Sequence, residues 1–311
     1  MINKSLLRGV KTRMAGSATI LVLAMGVLGS QQALAAITST KHNLTTTGTG
    51  VNKFTPTSGG GEICVFCHTP HGADISAAVP LWNRAMAVPT TYTTYNSLGT
   101  SSLDGATMAV GSVSLACLSC HDGAQAMNTM INAPGSGNFN TAGAAWAGTW
   151  AGANQTTGKI SAGLITNLTV DLRNDHPIGI QYAGGPSVAG SLVAAPGDYT
   201  AFKDPDFKTA KSQSLNGTQV WWLEAGGTAA GRQKQDIQLY TRGGVGGAYL
   251  GTTGTNSAVL ATVAQPFVEC ASCHDPHSEN TTFLRTLNTG SAVCLACHTK
   301  ELIDCWLGNQ G

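Results

Sequence analysis

Hydrophobic and polar positions form few regular patterns along this chain. The apolar stretch Met14–Leu28 follows Lys4, Arg8, Lys11 and Arg13, with no acid among them, and precedes Ala33-Leu34-Ala35. It is shorter than the ~20 residues a spanning helix needs. A basic start, apolar middle and small-x-small end make the pattern of a cleaved signal peptide. Residues 1–35 are therefore expected to be an export signal, and 36–311 a mature chain with no membrane span. The first cysteine is Cys64, too far on for lipid attachment at the cleavage site. Later in the chain, Gln219-Val220-Trp221-Trp222-Leu223 and Asp236-Ile237-Gln238-Leu239-Tyr240-Thr241 read as short strands between glycine turns. Sustained helical periodicity is absent from 122–269.

Composition narrows the field. Charged residues are 11% of 311, aromatic residues 6%, and glycine contributes 39 positions. An ordinary domain has about 25% charged residues. The formal net charge of +1 gives no basic field for nucleic acid. So few charges and so much glycine imply a thin side-chain core, which something else must fill.

Nine Cys and eight His are the unusual inventory. Export would make disulfides the default use of cysteine, but the spacing argues otherwise. Eight of the nine fall in four Cys-x-x-Cys-His units: Cys64/Cys67/His68, Cys117/Cys120/His121, Cys270/Cys273/His274 and Cys294/Cys297/His298. Zinc ribbons pair cysteines this way but do not require His after every second Cys; c-type haem attachment does. Two thiols add to two porphyrin vinyl groups, and two intervening residues make the turn that spans them. The adjacent His then ligates iron from the proximal face. Four covalently bound haem c groups are expected, with proximal ligands His68, His121, His274 and His298. The macrocycles would supply the bulk that the core lacks.

Two units extend further, as Cys67-His68-Thr69-Pro70-His71 and Cys273-His274-Asp275-Pro276-His277. With its four attachment motifs the chain resembles multihaem c-type cytochromes. The extended motifs, the export signal and the sparse haem spacing make it most similar to the extracellular cytochromes of metal-reducing bacteria that polymerise into electron-conducting filaments, and there to the tetrahaem type. The resemblance covers 36–121 and 270–311. It implies a head-to-tail filament in which a distal His crosses between copies, with His71 the first candidate donor and His42 the second, and exchange with other redox cytochromes. Such a protein would be extracellular or at the cell surface; the alternative is periplasmic.

Four histidines remain beside the proximal set: His42, His71, His176 and His277. Four irons have four distal positions, so bis-histidine ligation at every haem is the economical reading, with these four as distal ligands. Met127 and Met130 are the other distal candidates, or else packing residues near the second haem. His71 and His277 each follow a proline, which turns the chain away from the haem whose near face His68 or His274 holds. Each must therefore serve a different, adjacent haem. His176, before Pro177, would tie down the long insert or simply sit in a turn. His42, in a Thr/Gly-rich arm, would fold back on the first haem or reach another molecule.

The layout is a dihaem unit at 36–121, a Gly/Ala/Thr-rich insert at 122–269 and a second dihaem unit at 270–311, in one haem-packed domain. The expected fold is mostly irregular coil wrapped on haems, with short helices at the motifs and a few short strands in the insert. Trp82, Trp221, Trp222 and Trp306 line haem edges or serve ordinary packing. Cys305 has no following His and receives no role. Six-coordinate iron has no vacant position for a substrate, so the function expected is electron transfer, with no catalytic residue. The alternative is a monomeric periplasmic electron shuttle; a multihaem reductase is the third reading.

Overall fold

The computed structural model describes residues 36–86, 92–98, 105–134, 139–175, 178–185, 202, 204–216, 218–225, 231–243 and 264–299. The expected export signal at 1–35, His176, Cys305 and Trp306 lie outside the described residues.

Coil dominates, punctuated by short helices and small strands. The longest helix, α1 (Ser112–His121), carries the second motif. Val113, Ser114, Leu115, Ala116, Leu118 and Ser119 are all buried along it. A helix covered on nearly every side has no polar stripe to give it away in a sequence. It ends at Asp122, after which Gly123 turns left-handed with φ +71°, a conformation that glycine adopts without strain. Two single-turn helices, α2 (Cys270–Cys273) and α3 (Ala292–Leu295), carry parts of the third and fourth motifs. The first motif begins as the 3-10 turn Cys64–Phe66.

The strands form two supports. Near the first motif, β1 (Lys53–Pro56) pairs antiparallel with β4 (Gly148–Ala151), and β2 (Thr129–Asn132) with β3 (Phe139–Ala145). A further small pair, β5 (Gln155–Thr156) and β6 (Lys159–Ile160), follows. The second support is a five-stranded antiparallel sheet of β7 (Ile180–Gln181), β8 (Lys211–Leu215), β9 (Thr218–Leu223), β10 (Ile237–Gly243) and β11 (Ala264–Val268), in the order β7-β11-β10-β9-β8. The two strands expected from alternation are β9 and β10, paired with Ile237 opposite Leu223.

Among the described residues the apolar interior is divided into clusters, and the larger ones each touch an attachment motif. Phe54, Phe66, Met130 and Trp146 pack with Cys67 at their edge. Tyr92, Val110, Leu115, Leu118, Leu172 and Ile178 pack around α1 and against Cys270. Tyr182, Trp221, Leu223, Ile237 and Leu239 pack against Ala296 and Cys297. Met130 therefore packs at the first motif rather than the second, with no exposed surface.

The insert buttresses both halves. Its first part lends β4 to β1 and supplies the loop around Thr166. Its second part is the sheet, in which β11 leads directly into α2. The segment before β8 holds the fourth motif: Lys208 N–H donates to the Cys297 carbonyl at 2.7 Å, and Thr299 N–H to that of Asp206 at 2.8 Å. The Tyr182 hydroxyl bonds the Lys208 carbonyl at 2.7 Å.

Candidate haem centres

Each attachment unit closes a tight turn. The N–H groups of His68, His274 and His298 reach the carbonyl of their own first cysteine at 2.7, 3.1 and 2.9 Å, while His121 completes α1. The eight cysteines are in no disulfide. They approach one another in chain order: the Cys67 thiol is close enough to Cys120 to feel its charge, Cys117 shares a hydrogen bond with Cys270, and Cys273 feels Cys294. Burial, together with Cys120, pushes Cys67 up to about 12. Burial likewise raises Cys297, to about 12.

Five histidines show a common device. The Nδ1 of His68 bonds the Pro80 carbonyl at 2.7 Å, that of His121 the Thr166 carbonyl at 2.8 Å, and that of His274 the Thr282 carbonyl at 2.8 Å. His42 Nδ1 lies 3.3 Å from the Pro276 carbonyl, and His277 Nδ1 lies 3.3 Å from Asp275 Oδ1. A ring whose Nδ1–H is given to an acceptor keeps its lone pair on Nε2, which is how proteins fix the tautomer of a metal-ligating imidazole.

Two of the loops that present these acceptors carry strain. Leu81, next to Pro80, has φ +56°, and Thr282 and Phe283 have φ +55° and +59°. Non-glycine residues hold such angles at a cost of about 1–2 kcal/mol, and such strain clusters at functional sites. Apolar side chains flank the same carbonyls. Leu81 is 53% and Ile165 95% exposed, which suits a site that a flat apolar macrocycle would cover. Trp82 lies edge-on to His68, with centroids 6.3 Å apart, and its buried Nε1–H has no acceptor among the described residues. A buried donor left so costs about 1–3 kcal/mol; a haem propionate is an acceptor of the right kind. The donor set, the fixed tautomers and this indole all fit haem c.

Two pairs of imidazoles face each other. The His68 and His277 rings are 6.1 Å apart, centroid to centroid, with planes 16° from parallel. The His42 and His121 rings are 6.2 Å apart at 74°. A metal–imidazole bond is about 2 Å, so two rings on opposite sides of one metal have centroids roughly 6 Å apart. His42 also stacks on Phe283 at 4.0 Å. Burial, then His121, lowers its pKa to about 4, leaving the neutral imidazole that a ligand must be.

Of the expected distal ligands, the structure thus brings His42 to the second motif and His277 to the first. His71 is exposed, its carbonyl held by the Thr69 hydroxyl at 2.9 Å and Asn132 Nδ2 at 3.1 Å. Neither His71 nor His298 has another imidazole against it among the described residues; His298 instead lies 4.2 Å from the Phe207 ring. Position His176 is outside the described residues, but the turn before it is tied down: the Tyr95 hydroxyl donates to the Asp175 carbonyl, and Leu172 N–H to that of Thr93. Sequence reasoning missed Pro80, Thr166 and Thr282, because a backbone carbonyl carries no residue-type signal.

A family profile described as a doubled CXXCH motif matches residues 263–302, which hold the third and fourth units. No curated protein matches the chain. The doubled motif points to a multihaem c-type cytochrome that holds haem c covalently and serves in electron transfer.

Proposed function

We propose that this chain is an exported tetrahaem electron carrier, with six-coordinate iron throughout, that assembles head to tail into an extracellular conducting filament. The observation that carries the reading is the facing of His68 with His277 and of His42 with His121, every one of the four rings held through Nδ1. His68 and His277 would hold the haem attached at Cys64 and Cys67. His121 and His42 would hold the one at Cys117 and Cys120. His274 and His298 are proximal ligands of the other two, with His176 left for the third. His71, exposed and with a fixed backbone, is the donor to the fourth-motif haem of the next copy, and such a heterologous contact propagates without closing.

When bound, each haem supplies a one-electron ferric/ferrous couple. The chain's own residues set everything else. Paired imidazoles deny substrates a coordination position. They also lack the thioether that raises potentials in small cytochromes, so the potentials are low. The approach of Cys67 to Cys120, Cys117 to Cys270 and Cys273 to Cys294 supports an electron path in chain order. Electrons would arrive from another redox cytochrome and leave to an external acceptor.

Intact mass of the secreted protein should show four added haems and loss of residues 1–35; eight unmodified thiols would overturn the reading. Electron microscopy of His71→Met should show no filaments, and filaments like those of the unaltered protein would remove His71 from this role.

A further inference from the structure

Arg84 has no exposed surface at all, a position that arginine almost never takes unless its charge is paired. Its five N–H groups are all engaged, and every acceptor is neutral. Nε donates to Ser119 Oγ at 3.0 Å, Nη1 to the carbonyls of Met127 and Thr129 at 2.9 and 2.7 Å, and Nη2 to those of Ser119 and Ala126 at 2.8 and 3.1 Å. Among the described residues no carboxylate forms an ion pair with it.

The guanidinium sits between two attachment turns. Ser119 lies inside the second motif, between Cys117 and Cys120. Asn83, the residue before Arg84, is stapled to the first motif: its N–H donates to the Cys67 carbonyl at 2.8 Å, and its Nδ2 to that of Val65 at 2.7 Å. The third motif is different. Its buried charge is the acid Glu269, neutralised by Arg242 at 2.7 Å and bonded by the Ser114 hydroxyl at 2.6 Å. A full positive charge with no carboxylate paired to it is therefore fixed between the first two motifs, whereas the buried Glu269–Arg242 pair is balanced.

We propose that Arg84 is a tuning residue that raises the reduction potentials of the haems at Cys64/Cys67 and Cys117/Cys120. Reduction of each centre adds one electron and therefore one negative charge, ferric to ferrous, beside a fixed cation that water cannot screen. At the effective dielectric near 20 of protein sites, a unit charge within about 10 Å changes such an equilibrium by roughly tenfold or more. This rests on haem being attached at those motifs.

The test is an optical redox titration of the holoprotein, with haem content established separately by the pyridine haemochrome spectrum. Arg84→Gln removes the charge and keeps hydrogen-bonding capacity. At least one component should fall by about tenfold in reduction equilibrium, which is 59 mV for a one-electron couple. Arg84→Lys keeps the charge and should hold that component near its original place. Ser119→Asp retains Arg84 but places a carboxylate against it, and should lower the component as Arg84→Gln does; it decides the matter if Arg84→Gln yields no folded protein. Fully haem-loaded Ser119→Asp or Arg84→Gln with unchanged potentials would overturn the inference and leave the haem reading intact. An unaltered chain without haem would overturn the reading itself.

Discussion

The rings of His68 and His277 lie 6.1 Å apart and nearly parallel, although 208 positions separate them in the chain. That facing joins the first attachment motif to the extension of the third. The His42–His121 pair has the same spacing with its planes crossed at 74°.

The two angles predict two kinds of low-spin ferric signal. Near-parallel imidazoles give a rhombic spectrum, and crossed imidazoles a strongly anisotropic one. His277→Ala should remove the rhombic component and create one high-spin haem, and His42→Ala should do the same to the anisotropic component. Low-temperature electron paramagnetic resonance checks both. If the signals lost are exchanged between the variants, the pairing is wrong.

His277 gives its Nδ1–H to a carboxylate, Asp275, where His42, His68 and His121 give theirs to backbone carbonyls. Sharing the proton with an anion makes an imidazole a stronger donor, and second-shell partners of this kind change site properties by about ten- to a hundredfold. Asp275→Asn should therefore move the potential of the first haem upwards, by about tenfold in reduction equilibrium, as read by spectroelectrochemistry.

Asp275 also makes stability depend on acid. Burial alone would raise its pKa, but hydrogen bonds from His277 and the charges of Arg285 and Lys234 outweigh it and hold the carboxyl at about 2. A depressed folded-state pKa contributes stability that is complete above the unfolded value near 4 and is lost as pH falls towards 2. Denaturation of the holoprotein at pH 5 and pH 2.5 should show a larger acid loss for the unaltered chain than for Asp275→Asn.

Gly148 lets β4 lie against β1. A Cβ there would meet Phe54 Cζ at 2.4 Å and the Thr55 carbonyl oxygen at 2.5 Å. Gly148→Ala should cost about 1–3 kcal/mol, as overpacking does, and lower Tm with haem content unchanged. An unchanged Tm would mean that β1–β4 pairing does not support the first motif.

What the sequence made legible is the covalent chemistry. Cys-x-x-Cys-His is local, so the doubled motif at 263–302 was readable, as were β9 and β10 from the alternation of Trp221, Leu223, Ile237 and Leu239. β8 was not, because Lys-Ser-Gln-Ser-Leu buries only Ser212 and has no apolar rhythm. Proline before His277 announced a ring aimed away from its own motif, but that it faces His68 depends on long-range packing. His42 is the same case: nothing in its Thr-rich arm signals that Phe283 and His121 await it. Arg84 was silent too, since a lone arginine reads as a surface residue until its five acceptors converge.

Six-coordinate iron throughout leaves the assembled protein no free coordination position. The decisive measurement is cyanide added to oxidised, assembled holoprotein at neutral pH. An unchanged Soret band is expected, with no high-spin signal before or after addition. Ready cyanide binding, or a five-coordinate haem in the assembled material, would contradict it.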